Sequence, residues 1–410
     1  MQGFSSHHFE YLNDLATHAR RQGCQVTILC NRRSPLELSG ALGAGARLFG
    51  VSSNSIRKGT GRVRRGCETV LGAIANSWIL LRELGRGPRQ DLVLIPTAGI
   101  PHLLFLIPAV LFQRSKMAHI SVQFLCSWTL DSATDHWRLT CLRTLLALLC
   151  RLHPDIAFYA QTKQTARDLQ RPGGPRVECV PDIAHPVSEN PGLASRQSGA
   201  SVTFGSFGFA RYEQGTDVLQ EAIRIFLADH PEANVEFCVL WTSGGFALPD
   251  GRWVEPDTQL ERTGKVKFLR SFVATNEYLE LLAKADWIIM PYRKASYLRR
   301  SSRVALDAIC RGVPAIYTRG TNQEELVTQY GAGLGVEDAD AASLAKAILV
   351  AYTKNAEYRA QSLKQAPAAQ SAFSPAAFWQ AIDPRFPKPA RPTKAESFAV
   401  PFEPLASPQK

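Results

Sequence analysis

The segment SYLRRSSRVALDAICRGVPA, Ser296 to Ala315, gathers Arg299, Arg300 and Arg303 with Ser301 and Ser302 at what reads as a helix start. A helix N-terminus carries positive partial charge and disfavours cations. Three arginines at that end make physical sense if the site receives an anion. Free backbone N–H groups and serine hydroxyls donate to phosphate oxygens, and guanidinium groups bind them in bidentate fashion. Asp307 falls one to two turns further in, where a carboxylate can accept hydrogen bonds from sugar hydroxyls. The plainer reading is a solvated rim of arginines with Asp307 on the surface. The run before this segment, DWIIMPY, has the character of a strand of a parallel sheet. Open α/β sheets bind ligands at the carboxyl edge of such strands.

Elements able to position these residues recur along the whole chain. HFEYLNDLATHARRQG and ETVLGAIANSWILLRELG have helical periodicity, while CQVTILC, ARLFGV, DLVLIP, HISVQFL, DIAFYA and RVECVPD read as short buried strands. KQTARDLQ is a short helix between the last two. A polar Pro/Gly/Ser stretch over 186–200 reads as a linker. A second alternating set follows from Ser201, again strand by strand and helix by helix, up to DAASLAKAILVAYTKN. The pattern predicts an α/β protein of two Rossmann-like, doubly wound domains over 1–185 and 201–366. SPAAFWQAI predicts a helix within 367–383 that returns to the N-terminal domain, and the Pro-rich 384–410 predicts a disordered tail. The first domain opens on a loop and helix, with no strand ahead of them. Either its sheet lacks the first strand or the coding start lies upstream; the sequence favours an upstream start.

Composition limits the possible functions. A chain of 410 residues suits two cores, and a net charge of +11 favours anionic partners: phosphorylated metabolites, nucleic acid or an acidic membrane surface. Nine scattered cysteines without CxxC spacing argue against a zinc site or a disulfide framework and for reduced thiols in a cytoplasmic compartment. MQGFSSHHFEYL has neither the basic nor the apolar region of a signal peptide. The apolar stretch Leu92 to Phe112 is long enough to span a bilayer. However, Asp91 and PTAGIP divide it into a strand, a loop and a buried helix from about His102. WRLTCLRTLLALLCRLH, Trp137 to His153, is either a core helix with outward arginines or a helix lying on a membrane surface. RKGTGRVRRG, Arg57 to Gly66, is a basic run suited to solvent or to acidic lipid.

From Ser201 to Val350 the chain resembles the nucleotide-binding half of group 1 (family 4) glycosyltransferases of the GT-B fold, and within them the exopolysaccharide type. The likeness rests on MPYRKASYLRRSSRVALDAICRGVPAIYT, which follows the family order of strand, loop, helix, Gly-x-Pro turn and strand. Asp307 falls on the second of two acidic positions eight apart, and Arg299 stands where the first acid is expected. In FGSFGFARYEQGTDVLQ, aligned on Gly208 and Gly215, Phe209 and Gln214 replace two cations that bind the donor diphosphate in the family. Arg211 is in the same loop and can substitute, or it is a solvated loop residue. GFSSHHFEYL resembles the acceptor-side loop and first helix, with Gly3 permitting close approach and His7 and His8 at the helix start, in a catalytic or a capping role. The His that often follows the strand matching HISVQFLCSW is missing: Gln123, Phe124, Leu125 and Cys126 are there instead.

The resemblance implies transfer of a sugar from a nucleotide diphosphate sugar to a glycan, lipid-linked or other acceptor, with retention at the anomeric carbon and without a metal or other cofactor. It assigns Arg211, Arg299, Ser301, Ser302 and Arg303 to the diphosphate, Asp307 to the ribose, and Glu325 to the nucleotide or sugar, the last with an equally good surface reading. It implies a cytoplasmic protein, peripheral at the inner face of the membrane. The lost cations and the missing His also fit a degenerate GT-B chain kept as a non-catalytic assembly partner. A nucleic-acid partner is disfavoured because no aromatic-basic platform is present, and a dehydrogenase because no GxGxxG follows a strand.

Overall fold

The computed structural model describes residues 6–31, 47–49, 62–124, 136–180, 182–187 and 201–383. The N-terminal half runs α1 (Ser6–Arg21), β1 (Leu29–Asn31), β2 (Arg47–Phe49), α2 (Arg62–Arg86), β3 (Gln90–Ile95), α3 (Ile100–Gln113), β4 (Met117–Phe124), α4 (His136–Leu152), β5 (Ile156–Ala160), α5 (Lys163–Leu169) and β6 (Val177–Cys179). Strands β3, β4, β5 and β6 form a parallel sheet in that order, and β1 pairs with β2 in a separate parallel pair. Strand β4 is buried along most of its length, as the central strand of a sheet covered on both faces must be. The apolar stretch Leu92 to Phe112 divides as expected into β3, a loop and α3, which starts at Ile100 with Pro101 in its first turn. Among the described residues no helix is long and apolar enough to cross a membrane.

The C-terminal half runs β7 (Val202–Ser206), α6 (Thr216–Asp229), β8 (Val235–Leu240), β9 (Phe246–Ala247), β10 (Trp253–Val254), α7 (Thr258–Arg262), β11 (Val266–Leu269), α8 (Thr275–Lys284), β12 (Trp287–Met290), α9 (Lys294–Tyr297) and α10 (Arg303–Cys310). It continues with β13 (Ala315–Thr318), α11 (Asn322–Tyr330), β14 (Gly333–Val336), α12 (Ala341–Thr353), α13 (Asn355–Ala372) and α14 (Pro375–Ile382). Its six-stranded parallel sheet has the order β11-β8-β7-β12-β13-β14. The strand order therefore reverses between β7 and β12, which is where a doubly wound sheet opens a crevice for a ligand. The loops leaving those two strands carry Gly208 to Gly215 and Pro291 to Ser302. Two apolar clusters cover this sheet's faces, one centred on Phe204, Phe226, Phe237 and Trp287, the other on Ile288, Leu306, Ile309 and Ile316's neighbours Ala315 and Tyr317.

Three small elements depart from the expected pattern. The β9–β10 hairpin and α7 fall in a segment with no clear periodicity, and α9 forms inside what reads as a loop. Helix α13 runs to Ala372, across the expected domain end at 366. Helix α14 then lies on α1: Trp379 donates to the Leu15 carbonyl (3.1 Å), and Tyr159 donates to that of Ile382 (3.2 Å). The expected tail 384–410 and most of the linker, 188–200, lie outside the described residues, as does any test of where the first strand begins.

Gly215 joins the two crevice loops. Its φ of +65° lies in the left-handed region, and a Cβ there would stand 1.9 Å from the carbonyl oxygen of Pro291. Gly215→Ala is expected to destabilise the C-terminal half by about 2 kcal/mol or more, from backbone strain and loop displacement together. A lowered urea midpoint would register this; an unchanged midpoint would contradict the close approach.

Candidate active site

The two crevice loops are tied together by Arg293. Its guanidinium pairs with Asp217 (2.5 Å) and lies 4.7 Å from the Tyr212 ring centroid, and its backbone N–H donates to the Glu213 carbonyl (3.0 Å). Beyond this clamp, Tyr292 and Tyr297 pack ring against ring at 4.2 Å. Arg211 lies beside Tyr297, and Tyr292 reaches the Ser302 hydroxyl at 3.4 Å. Arg211 and the start of α10 are thus brought into one patch by two tyrosines that the sequence did not single out. The Arg211 Nε is buried and has no hydrogen-bond partner. Phe209 is exposed, and Gln214 is folded inward, where its amide donates to the Tyr297 hydroxyl (3.3 Å). A Cβ on Gly208 would meet the Gln214 Oε1 at 1.9 Å, so this glycine is required for the glutamine to close the loop.

Helix α10 begins at Arg303, just after the expected start near Ser301 or Ser302. Ser302 is its N-cap, accepting from the Ala305 N–H at 3.4 Å, and no acid occupies the first turn. The cations around it are neutralised from the N-terminal half instead. Arg299 pairs with Asp168 (2.5 Å), and its carbonyl accepts from the Thr162 and Thr165 hydroxyls (3.3 and 3.1 Å). Arg303 pairs with Asp14 (3.4 Å). Burial raises the Asp14 carboxyl above its ordinary value in spite of Arg303. The Arg300 carbonyl receives the Gln323 amide at 3.5 Å. Glu325 pairs with Lys163, so it too connects the halves. Beside that pair, a surface groove of about 670 Å³ is lined by Lys163, Arg167, Arg171 and Cys179. Cys179, the last residue of β6, is exposed on the wall of this groove.

Asp307 differs from both of its expected surroundings. It is neither on the surface nor open to a ligand: its exposure is 0%. One carboxylate oxygen accepts the His185 backbone N–H (2.8 Å), and the other accepts the His185 Nδ1–H (2.7 Å) and the Tyr278 hydroxyl (3.1 Å). Arg311 lies 3.6 Å away, one helical turn on. Sealed from solvent and engaged by three hydrogen bonds, Asp307 is out of reach of a ribose hydroxyl. Its assignment to the ribose is therefore corrected: in this structure it is a buried charge that holds the linker. Burial alone would raise its pKa, but the His185 hydrogen bond and the charges of His185, Arg303 and Arg311 bring it below the usual carboxylate range.

His185, 5% exposed, follows the last strand of the N-terminal half and has no motif around it. Its second ring nitrogen faces Glu10 (3.2 Å), whose other oxygen accepts from Thr275. Burial lowers the affinity of His185 for its proton, but the hydrogen bonds to Asp307 and Glu10 outweigh that and raise its pKa. The sequence hint is a histidine within the mostly apolar VPDIAHPV. Gly3 lies outside the described residues. The side chains of His7 and His8, at the start of α1, are likewise outside them, so the catalytic role expected of His8 is not placed.

Residues 201–354 match the family model of glycosyl transferases group 1. That segment is a group 1 glycosyl transferase domain, and hence a transferase domain, and it contains both crevice loops, α10 and α11. Compared with curated protein sequences, the chain matches none. The fold is similar to that of Anabaena HepE, solved in complex with UDP and glucose, with a TM-score of 0.59 and 17% identity over 91% of this chain and 94% of that one. It is also similar to sucrose-phosphate synthase from Thermosynechococcus elongatus, with a TM-score of 0.58 and 15% identity over 93% and 91%. A putative UDP-N-acetylglucosamine 2-epimerase from Listeria monocytogenes aligns at a TM-score of 0.54 and 12% identity over 97% and 98%. The chain has the GT-B fold of two Rossmann-like domains.

Titration of the His185–Asp307 pair sets opposite pH limits. His185 binds its proton more tightly when folded, so its contribution to stability is complete below about pH 6.5 and is lost as pH rises through its raised value. Asp307 contributes above about pH 4, and that part is lost as pH falls through its lowered value. His185→Gln leaves a buried carboxylate short of its cation and is expected to cost about 3 kcal/mol or more. Urea midpoints measured across pH 5 to 9 should fall on the alkaline side for the wild type. They should be lower and flatter over that range in the variant. A variant as stable as wild type would refute the buried charge pair.

Proposed function

We propose that this protein, whose residues 201–354 match the group 1 glycosyl transferases, moves a sugar from a nucleotide diphosphate sugar to a glycan, lipid-linked or other acceptor. The observation that supports this reading is the cationic patch at the strand-order reversal, lying inside the matched segment. Arg211 lies in one loop there beside Tyr297, which stacks on Tyr292; Tyr292 reaches Ser302, the N-cap of α10, and Arg303 is the first residue of that helix. HepE, which shares the fold, was solved with UDP and with UDP-glucose, which favours a uridine diphosphate sugar as donor.

The chemistry follows from where charge grows. As the sugar leaves, negative charge accumulates on the diphosphate. Preorganised cations and helix N–H groups aimed at it lower the transition state more than the ground state. On this reading Arg303 exchanges Asp14 for a diphosphate oxygen, and Arg299 is available in the same way from Asp168. Arg211 takes over from the two cations replaced by Phe209 and Gln214. The donor contributes the leaving group, and these arginines supply the compensating charge, so the reaction needs no metal and no cofactor. Retention at the anomeric carbon is part of the proposal. The protein is proposed to work in the cytoplasm, against an acidic membrane surface.

Calorimetric titration with UDP- and GDP-sugars tests the donor site. Wild type should bind at least one of them, and Arg303→Ala should bind it about tenfold or more weakly, the loss of one charge-assisted contact. Incubation of donor with candidate acceptors in EDTA, followed by NMR of the product anomer, tests retention and metal independence. An intact fold that binds no nucleotide sugar would favour a non-catalytic assembly partner, for which Gln214 packed in place of a cation is the supporting observation.

A further inference from the structure

Helix α2 buries Ala73, Ser77, Leu80 and Leu84 against the N-terminal core, and its other side carries Leu71, Ile74 and Trp78 outward, at i, i+3 and i+7. Trp78 is 70% exposed. A helix that places large apolar residues on both sides has a second face to cover. Its neighbour α3 extends that face. Helix α3 contains no charged residue, and its exposed end carries Leu111 and Phe112, the latter 74% exposed. The two helices run side by side in the same direction: the Ser77 hydroxyl reaches the Phe105 carbonyl (3.1 Å), and a Cβ on Gly85 would lie 3.4 Å from the Gln113 amide. From Leu71 to the end of α2 the apolar strip is therefore about 20 Å long, at 1.5 Å per residue. Soluble surfaces rarely leave so many large apolar side chains together.

The charge around the strip identifies what covers it. Arg62, Arg64 and Arg65 open α2, Arg82 and Arg86 close it, and Arg114 follows α3. The acids over both helices are Glu68 and Glu83 alone, and Glu83 is paired with Arg82 (3.1 Å). In a two-fold contact with a second copy the same face would meet itself, cation against cation. An anionic bilayer matches both features: tryptophan and phenylalanine enter the headgroup boundary while arginines meet lipid phosphates. Helix α3 starts at the carboxyl edge of the sheet, on the side of the crevice, so Leu111 and Phe112 lie at the opposite edge. Binding by this end leaves the site open.

We propose that the outer face of α2 and α3, anchored by Trp78 and Phe112 and rimmed by Arg86 and Arg114, docks on anionic phospholipid. This deepens the membrane partnership proposed above and rests on that reading, and it is independent of the donor site.

Co-sedimentation of the full-length protein with vesicles is the test. Wild type should bind vesicles of phosphatidylcholine with about one-third phosphatidylglycerol, and bind them far less in high salt or with phosphatidylcholine alone. Trp78→Gln/Phe112→Gln and Arg86→Glu/Arg114→Glu should each reduce partitioning about tenfold or more. Nucleotide-sugar calorimetry on the same samples monitors fold and donor site, and should be unchanged. If wild type does not bind anionic vesicles, or both double variants bind as wild type does, the proposal is overturned while the donor reading stands. It is also overturned if the chain sediments as a dimer that Trp78→Gln/Phe112→Gln dissociates, which would make the face a self-association surface.

Discussion

A carboxylate without access to water dictates how the two halves of this chain meet. Asp307 stays charged only because His185, Tyr278 and Arg311 surround it. Those groups come from the residue just before the linker, from α8 and from the C-cap of its own helix. His185 in turn is fixed by Glu10 of α1, and Glu10 by Thr275. An isolated buried charge is prohibitively costly, so each member of this chain requires the next. The line begins in the first helix of one domain, passes through His185 where the linker begins, and ends inside the helix that opens the site of the other. The start of the linker is therefore held from both sides.

The same constraint explains why a cluster of arginines is tolerated at a helix N-terminus. Their compensation is non-local: Asp168 faces Arg299 and Asp14 faces Arg303, both from the N-terminal half. Lys163 and Glu325 make a third pair across the junction, with the charges reversed. The dipole of α10 disfavours the arginines, and carboxylates of the facing domain offset it.

Much of the fold could be read from residues alone because its signals are local. Short buried strands alternating with amphipathic helices specify a parallel sheet, and HISVQFL, DIAFYA, SVTFGS and DWIIMPY all form strands. The β9–β10 hairpin and α9 were missed because stretches of two to four residues carry no period. The loops expected to hold the site do leave the strands where the order reverses, but the partners of their side chains were not legible: Tyr292 reaches Ser302, while Arg303 turns to Asp14. What the sequence could not show is that Asp307 is sealed, since an acid's place in a motif says nothing of what packs over it. His185 lies 122 residues from Asp307, and Arg303 lies 289 from Asp14. Pairings at such separations depend on how two domains face each other, which no local pattern encodes.

The contacts between the halves then fall into two kinds, and the difference bears on function. The Asp307–His185 pair is fully desolvated, so breaking it leaves a buried charge and costs several kcal/mol. The Arg299–Asp168 pair keeps 25% and 18% of its side chains exposed, and pairs of this type typically contribute only about 0–1 kcal/mol. A doubly charged diphosphate competes well against a single, partly solvated carboxylate for such an arginine, whereas no ligand reaches Asp307. On the proposed function, donor binding exchanges the outer pairs and leaves the inner one intact. The mouth of the cleft can loosen while the linker keeps its place, so the halves can part and close about a fixed point.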